Sequence, residues 1–459
     1  MLTRREFAAS LAGMAAASAQ TPRLNVLLVT NDQLRADCLG AFGNRVIRTP
    51  NLDRLASEGT IFEQYYAQCP QCVPSRAAMH TGRYPHVNRT PSNAFRLPDG
   101  EVTLAKILGQ QGYTTAVVGE LPLAPTNLMA GFQHMVAGYT EYQASLLAEG
   151  YALKGVAHAA AVKKDFQAVP APWPDELDES AFFAGRAIEF LKAHRDKPFF
   201  LHVNYRRPHH PFDPPAPFDT MYADATFPAS HKRAGEMKNK PPGQQKAMEN
   251  TVGFDLRTLS EHDLHRVKSY YYGMISENDK YIGKILEHLR ESGLENRTLV
   301  LFNADHGEML GDHGLLYKGG YFYDEVVRVP LILRGPGKVA AGKRMKTLAE
   351  QIDLAPTVLD LLGIEKPAGM QGRNLLTAKP RMAVHSEFAN IKMLRTEDWK
   401  LVHYLHARYG ELYNLREDPH ELYNLYDDPG AAKARHEMES ALTDWLIDTE
   451  DPLLAPIRV

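Results

Sequence analysis

Cysteine is scarce. Only Cys38, Cys69 and Cys72 occur in 459 residues, too few for a disulfide framework. Cys69-Pro-Gln-Cys72 keeps the spacing of a redox pair or half a zinc site, but no second CxxC completes a zinc site. Long apolar runs are missing as well. None reaches the ~18 residues of a membrane span. Charge of one sign is also missing: 52 Lys and Arg face 55 Asp and Glu, for a formal net charge of −3. A nucleic-acid binder would need a basic field. Internal repeats and low-complexity tracts are absent.

What is present begins with an address. Thr3-Arg4-Arg5-Glu6-Phe7 is a twin-arginine pattern, and an alanine-rich run follows it to Ala17-Ser18-Ala19. The order predicts a bacterial signal peptide over residues 1–19, twin-arginine export, cleavage after Ala19 and a periplasmic or secreted product. No cysteine stands at the cleavage point to carry a lipid anchor.

Leu24–Thr30 is a continuous apolar run that reads as a buried parallel strand. Thr115–Val118, Phe199–Val203, Thr298–Phe302 and Val329–Leu333 read the same way. Helical patterns lie between them, at Thr49–Gly59, Val102–Gly112 and from Ser260 to Gly293. Ser260 and Asp263 resemble a capping pair. Strands alternating with helices predict an α/β fold with a large, mostly parallel sheet flanked by helices. This unit is expected over 24–375. A small C-terminal subdomain, an antiparallel sheet plus a helix, is expected over 380–459. Residues 225–257 show no period and read as an exposed excursion, a candidate lid.

Ligands of open parallel sheets bind beyond the carboxyl ends of the strands. Asp32-Gln33 follows the first strand, and Asp305-His306 follows another. A lone Asp after a strand is more often a helix cap. Two such sites, one of them Asp-His-Gly, favour a hard cation. Cys72 opens a helix-compatible stretch beside Arg76, which predicts a reactive thiol of lowered pKa.

Cys72-Val73-Pro74-Ser75-Arg76 followed by Thr81-Gly82-Arg83 resembles the C-x-P-S-R…T-G-R signature of the formylglycine-dependent (type I) sulfatases of the alkaline phosphatase superfamily. The resemblance extends to Thr49-Pro50-Asn51-Leu52-Asp53-Arg54-Leu55, to the loop Asp305–Gly314 and to Glu411–Leu415 with Asp418-Pro419. It implies an alkaline-phosphatase-like fold. It also implies a sulfuric ester hydrolase whose nucleophile is formylglycine, made from Cys72 before folding by dedicated machinery. Asp32, Gln33, Asp305, His306 and residue 72 would hold one divalent metal. Calcium is the first expectation, with manganese the alternative because a histidine softens the site. Arg76 would brace the formylglycine, Lys318 would contact the anionic oxygens, and His209 would protonate the leaving oxygen from a near-neutral pKa. His210 is adjacent to it, and the Pro-His register favours His209. Asn93 resembles a polar residue that touches the bound anion in one branch of the family. Asp312 and His313 read as loop structure. The substrate would be a small-molecule or glycan sulfate ester.

The chain departs from the family where most members carry G-K-W-H-L-G. Here Glu120 takes the lysine position and Pro122 the histidine position. Two unit charges of one sign 4 Å apart repel by ~4 kcal/mol at an effective dielectric of 20, so the exchange matters. Glu120 could turn away or be protonated, face a cationic part of the substrate or act as the missing base, or mark a protein that binds anions without turnover. The phosphonate monoester and phosphodiester hydrolases of the family also lack that lysine and histidine. With Gln33 and Asn93, this makes them the second expectation.

Overall fold

The computed structural model describes residues 23–120, 123, 129–151 and 164–450. The expected signal peptide and Pro122 lie outside the described residues.

The strands up to Glu350 are β1 (Asn25–Asp32), β2 (Thr60–Phe62), β3 (Tyr65–Tyr66), β4 (Thr114–Gly119), β5 (His134–Ala137), β6 (Phe199–Pro208), β7 (Thr298–Ala304), β8 (Arg328–Val329), β9 (Leu331–Arg334), β10 (Lys343–Met345) and β11 (Ala349–Glu350). The main sheet has eight strands in the order β10-β2-β9-β7-β1-β6-β4-β5. Its centre is parallel: β1 pairs with β6 and β7, and β4 pairs with β5 and β6. Every residue of β1 and of β7 is buried, as strands covered by helices on both faces require. A small sheet, β11-β3-β8, lies apart from it.

The expected helices form with local stops. Pro50 opens Pro50–Ser57 at a position where its missing N–H costs nothing. Thr103 caps Leu104–Gln110 by accepting from Lys106 N–H at 3.2 Å. Ser260 caps the 31-residue helix Glu261–Glu291 by accepting from Asp263 N–H at 3.1 Å.

Two expectations are corrected. Val329–Leu333 is not one parallel strand. Pro330 has no N–H to give a ladder; Arg328–Val329 joins the small sheet, and Leu331–Arg334 joins the main sheet antiparallel to β2 and β7. Residues 225–257 are not a featureless exposed excursion either. They contain the helix Pro242–Glu249, and Glu236, Lys240 and Gln244 are buried. Lys240 Nζ donates to Tyr413 Oη at 2.9 Å, and Gln244 Nε2 donates to Glu411 Oε2 at 3.0 Å. The segment is therefore a bracket against the C-terminal sheet.

That sheet is antiparallel: β12 (Val384–Phe388), β13 (Ile391–Arg395), β14 (Trp399–Tyr404) and β15 (Gly410–Asn414), in that order. The helix Ala432–Asp448 packs Met438, Leu442 and Trp445 against Leu394, Leu401 and Leu412. Buried Lys400 ties β14 to the main body through Asp324 Oδ1 at 2.7 Å and the carbonyl of Phe322 at 3.0 Å.

Gly119, at the end of β4, has φ +93°, and a Cβ there would lie 2.0 Å from the carbonyl oxygen of Asn204. Gly119→Ala is expected to cost about 3 kcal/mol of stability, read as a lower midpoint in urea unfolding. An unchanged midpoint would show that β4 and β6 can separate there at no cost.

Candidate active site

Four neighbouring parallel strands, in the order β7-β1-β6-β4, end on one edge. Beyond their carboxyl ends come Asp305-His306, Asp32-Gln33, His209-His210 and Glu120, respectively. The helix Cys72–Thr81, buried along its whole length, starts at this edge. Ser75 fixes it there, because its Oγ donates to the carbonyl of Asp305 at 2.6 Å and lies 2.6 Å from Gln351 Oε1. Gln351 Nε2 in turn donates to the carbonyls of Ala304 and Asp305, at 2.6 and 3.0 Å.

The Cys72 Sγ lies 3.3 Å from His306 Nε2, 3.0 Å from Lys318 Nζ and 3.8 Å from Asp32 Oδ1. Arg76 Nη2 bridges Asp32 Oδ2 and Asp305 Oδ2, each at 2.8 Å. This guanidinium is fully buried, and its Nε and Nη1 have no hydrogen-bond partner. Buried donors of that kind call for an anion or oxygen ligand beside them. Burial raises the Asp32 carboxyl, but Lys318, His209, Arg76 and His306 together hold it well below the usual carboxylate range. Burial opposes the charge on Lys318, yet Asp32, Cys72 and Asp305 keep its ammonium above the usual value.

The donor set suits a divalent cation. One ligand atom each from Asp32, Cys72, Asp305 and His306 lies within 4.8 Å of the others. His306 Nδ1 donates to the carbonyl of Gly307 at 3.0 Å, leaving Nε2 as a lone pair, and burial keeps the ring neutral by lowering its pKa. Gln33 turns its Nε2 to Glu308 Oε2 and, at 3.2 Å, to His210 Nδ1. Its Oε1 is buried without a partner, as expected of an oxygen reserved for a cation.

The remaining expected residues are placed as follows. The Cys72 thiol is not acidified: burial, then Asp32, pushes it up to about 12 against the pull of Lys318. The helix N-terminus and Arg76 do not outweigh desolvation, so the expectation of a low-pKa thiol fails. Cys69 is a free, buried cysteine, as are Cys38 and Cys72. His209 Nδ1 donates to the carbonyl of His210 at 2.6 Å, and the two rings stack at 4.0 Å. Burial, then Lys318 and His210, hold His209 well below its usual pKa, not near neutrality. His210 is fixed between Gln33 and Tyr317, whose ring is 4.5 Å away. Asn93 is not aimed at an anion through its oxygen. Its Oδ1 accepts from Val73 N–H at 3.0 Å and so caps the helix of Cys72. The Glu120 side chain makes no hydrogen bond or ion pair among the described residues. Its charge does support those of Arg76 and Arg206. Arg206 donates to Tyr139 Oη at 3.1 Å and to the carbonyl of His210 at 3.2 Å.

Three supporting residues had no sequence reading of their own. Glu308 holds Gln33 and also accepts from the N–H groups of Leu310, at 2.9 Å, and Tyr317. It thereby sets both the Gln33 amide and the residue before Lys318. Burial pushes its carboxyl up to about 7. Arg35 donates to the carbonyls of Glu308 and Met309 at 3.2 and 3.1 Å and to Asp312 at 2.7 Å. Gln351 is the third. The only sequence signal was that Glu308 lies inside the Asp305–Gly314 motif. Glu308→Ala is expected to weaken divalent-metal affinity by roughly 10–100-fold, read by calorimetric titration of the chelated protein; unchanged affinity would remove Gln33 from the metal site.

The sulfatase family model matches residues 24–364, and a model described as the C-terminal region of N-sulphoglucosamine sulphohydrolase matches 311–447. The multifunctional alkaline phosphatase superfamily protein PehA of Trinickia caryophylli is 32% identical, covering 95% of this chain and 98% of its own. An arylsulfatase of Clostridium perfringens is also 32% identical, over 76% of this chain and 77% of its own. The crystal structure of a phosphonate monoester hydrolase of Agrobacterium radiobacter superposes with a TM-score of 0.83 at 28% identity, covering 94% of this chain and 97% of that one. With its mostly parallel sheet and this convergence of side chains at the strand ends, the chain belongs to the sulfatase family and is an ester hydrolase of it.

Proposed function

We propose that the protein cleaves a sulfate monoester, of a small molecule or a glycan, with a formylglycine made from Cys72 by dedicated machinery and one divalent metal held by Asp32, Gln33, Asp305, His306 and residue 72. The observation that carries this reading is the convergence of residue 72, Lys318, His306 and Asp32 on one point at the end of β1, with the unpartnered Arg76 donors behind it. Oxygen donors dominate the set, which favours calcium; the imidazole leaves manganese as the alternative. The twin-arginine pattern over residues 1–19 supports a periplasmic or secreted product.

The metal, when bound, supplies Lewis-acid activation, and the hydrated aldehyde supplies an oxygen nucleophile. The rest is work for side chains of this chain. Arg76 bridges the two carboxylates, so their positions do not relax as charge shifts. Lys318 faces residue 72 and stabilises charge that builds on the non-bridging oxygens. His209, whose Nδ1–H is committed to the His210 carbonyl, has Nε2 left to carry a proton to the departing alcohol oxygen. An anionic ester beside Lys318 offsets the field that lowers the pKa of His209, so substrate binding itself favours the acid form.

A second reading is hydrolysis of a phosphonate monoester or phosphodiester. Glu120 in place of the family lysine supports it, as does the likeness to the Agrobacterium radiobacter phosphonate monoester hydrolase. A panel of aryl sulfate, phosphodiester and phosphonate monoester separates the two. Higher kcat/KM on the sulfate is expected, and a clear preference for the phosphorus esters sinks the first reading.

In a host with the converting machinery, the peptide containing Cys72 is expected to be lighter by about 18 Da as the aldehyde; an unaltered thiol there overturns the nucleophile. His209→Ala is expected to slow esters of poor leaving groups by about 10²–10⁴-fold while sparing activated aryl esters. Equal loss on both would take the acid role away from His209.

A further inference from the structure

A second cluster of metal-ligating side chains lies away from Cys72. His231, Glu325 and His420 each offer one ligand atom, all within 4.8 Å of one another. They come from three separate stretches: the 225–257 bracket, the short helix Asp324–Val327, and the turn after Pro419. The rings of His231 and His420 stack at 3.5 Å with 19° between their planes. His231 Nδ1 is buried and has no hydrogen-bond partner. It lies 3.7 Å from Glu325 Oε1 and 3.8 Å from Asp312 Oδ1, too far for a hydrogen bond to either. A buried ring nitrogen without a partner, faced by a carboxylate and a second imidazole, is an unmet demand for a proton or a cation.

The first ligand is held in place by the backbone. His231 N–H donates to Asp312 Oδ1 at 2.7 Å, and its carbonyl accepts from His313 N–H at 2.7 Å. Asp312 is itself fixed by Arg35. Glu325 is anchored through its carbonyl, which accepts from Glu308 N–H at 3.1 Å. His420 is exposed. A cavity of about 440 Å³ lined by these three residues, with Asp37, Arg35 and Arg328, leaves room for a water ligand.

We propose that His231, Glu325 and His420 form a second, structural site for a divalent transition ion of the zinc class, with water as the fourth ligand. Two imidazoles and one carboxylate are the donor types that zinc takes in four-coordinate sites, and they are too nitrogen-rich for calcium or magnesium. Such an ion pins the C-terminal turn and the bracket to the segment whose backbone also receives Gly307 N–H, at 2.7 Å to the carbonyl of Val326. It would stiffen the loop that carries Asp305, His306 and Lys318 without touching the reacting atoms. The site does not depend on which ester is cleaved.

The test uses the full chain loaded with calcium, dialysed against zinc, and analysed for both metals. One zinc per chain is expected without loss of calcium, together with a raised thermal midpoint. His420→Ala, at an exposed position that folding does not need, is expected to weaken zinc by roughly 100-fold or more, since even outer-sphere losses reach about that. It should also lose the zinc-dependent rise in midpoint and keep its calcium. His231→Ala should do the same. The proposal is overturned if wild type retains no zinc, if zinc replaces calcium one for one, or if zinc content is unchanged in both variants.

Discussion

Two carboxylates, Asp32 and Asp305, stand side by side in the interior, and one guanidinium nitrogen of Arg76 bridges them. Most of the site depends on this triad. Left alone, two buried like charges at adjacent strand ends would repel and one would take up a proton. Removing the partner of a buried ion pair costs about 3–5 kcal/mol, so the helix that carries Arg76 must dock where it does. That docking brings residue 72 to the mouth of the strands. Ser75 and Gln351 lock the same helix to the backbone of Asp305. The position of Cys72 is thus a by-product of neutralising the two buried acids.

Substituting Glu120 for a lysine looks costly in the sequence, where only the missing cation is visible. The fold supplies context. Glu120 follows β4, beside β6, and its charge acts on Arg76 and Arg206. Glu120 therefore stands among guanidinium charges, and its carboxylate is partly offset by them although the family cation is gone.

The central strands were legible because both faces are covered: Leu24–Thr30 and Thr298–Phe302 are short, largely apolar and rich in β-branched residues, with no helical period. Asp32, Asp305 and Cys72 were legible because strand ends and a helix start are local features with motifs around them. What was not legible depends on approach in three dimensions. The antiparallel direction of β9 follows from a break at Pro330 between two sheets. Asn93 caps a helix twenty residues before it in sequence order, a contact no periodicity announces. The Cys72 thiol is raised by burial and then Asp32, and the His209 ring is lowered by burial and then Lys318; the sequence neighbours of Cys72 gave the wrong sign, and the near-neutral expectation for His209 took no account of burial. Glu308 was hidden because its work is done on Gln33, 275 positions away.

The long reach of the contacts around Ser75 has a consequence in time. Its partners lie 230 and 276 residues further along the chain. During synthesis Ser75 cannot complete both contacts until Gln351 has emerged, and at ~5–20 residues per second that interval is of the order of tens of seconds. On the proposed conversion of Cys72 to formylglycine, the converting enzyme would have this interval in which to reach the sulfur. The sequence distance between Ser75 and its partners thus acts as a clock for the closing of the site.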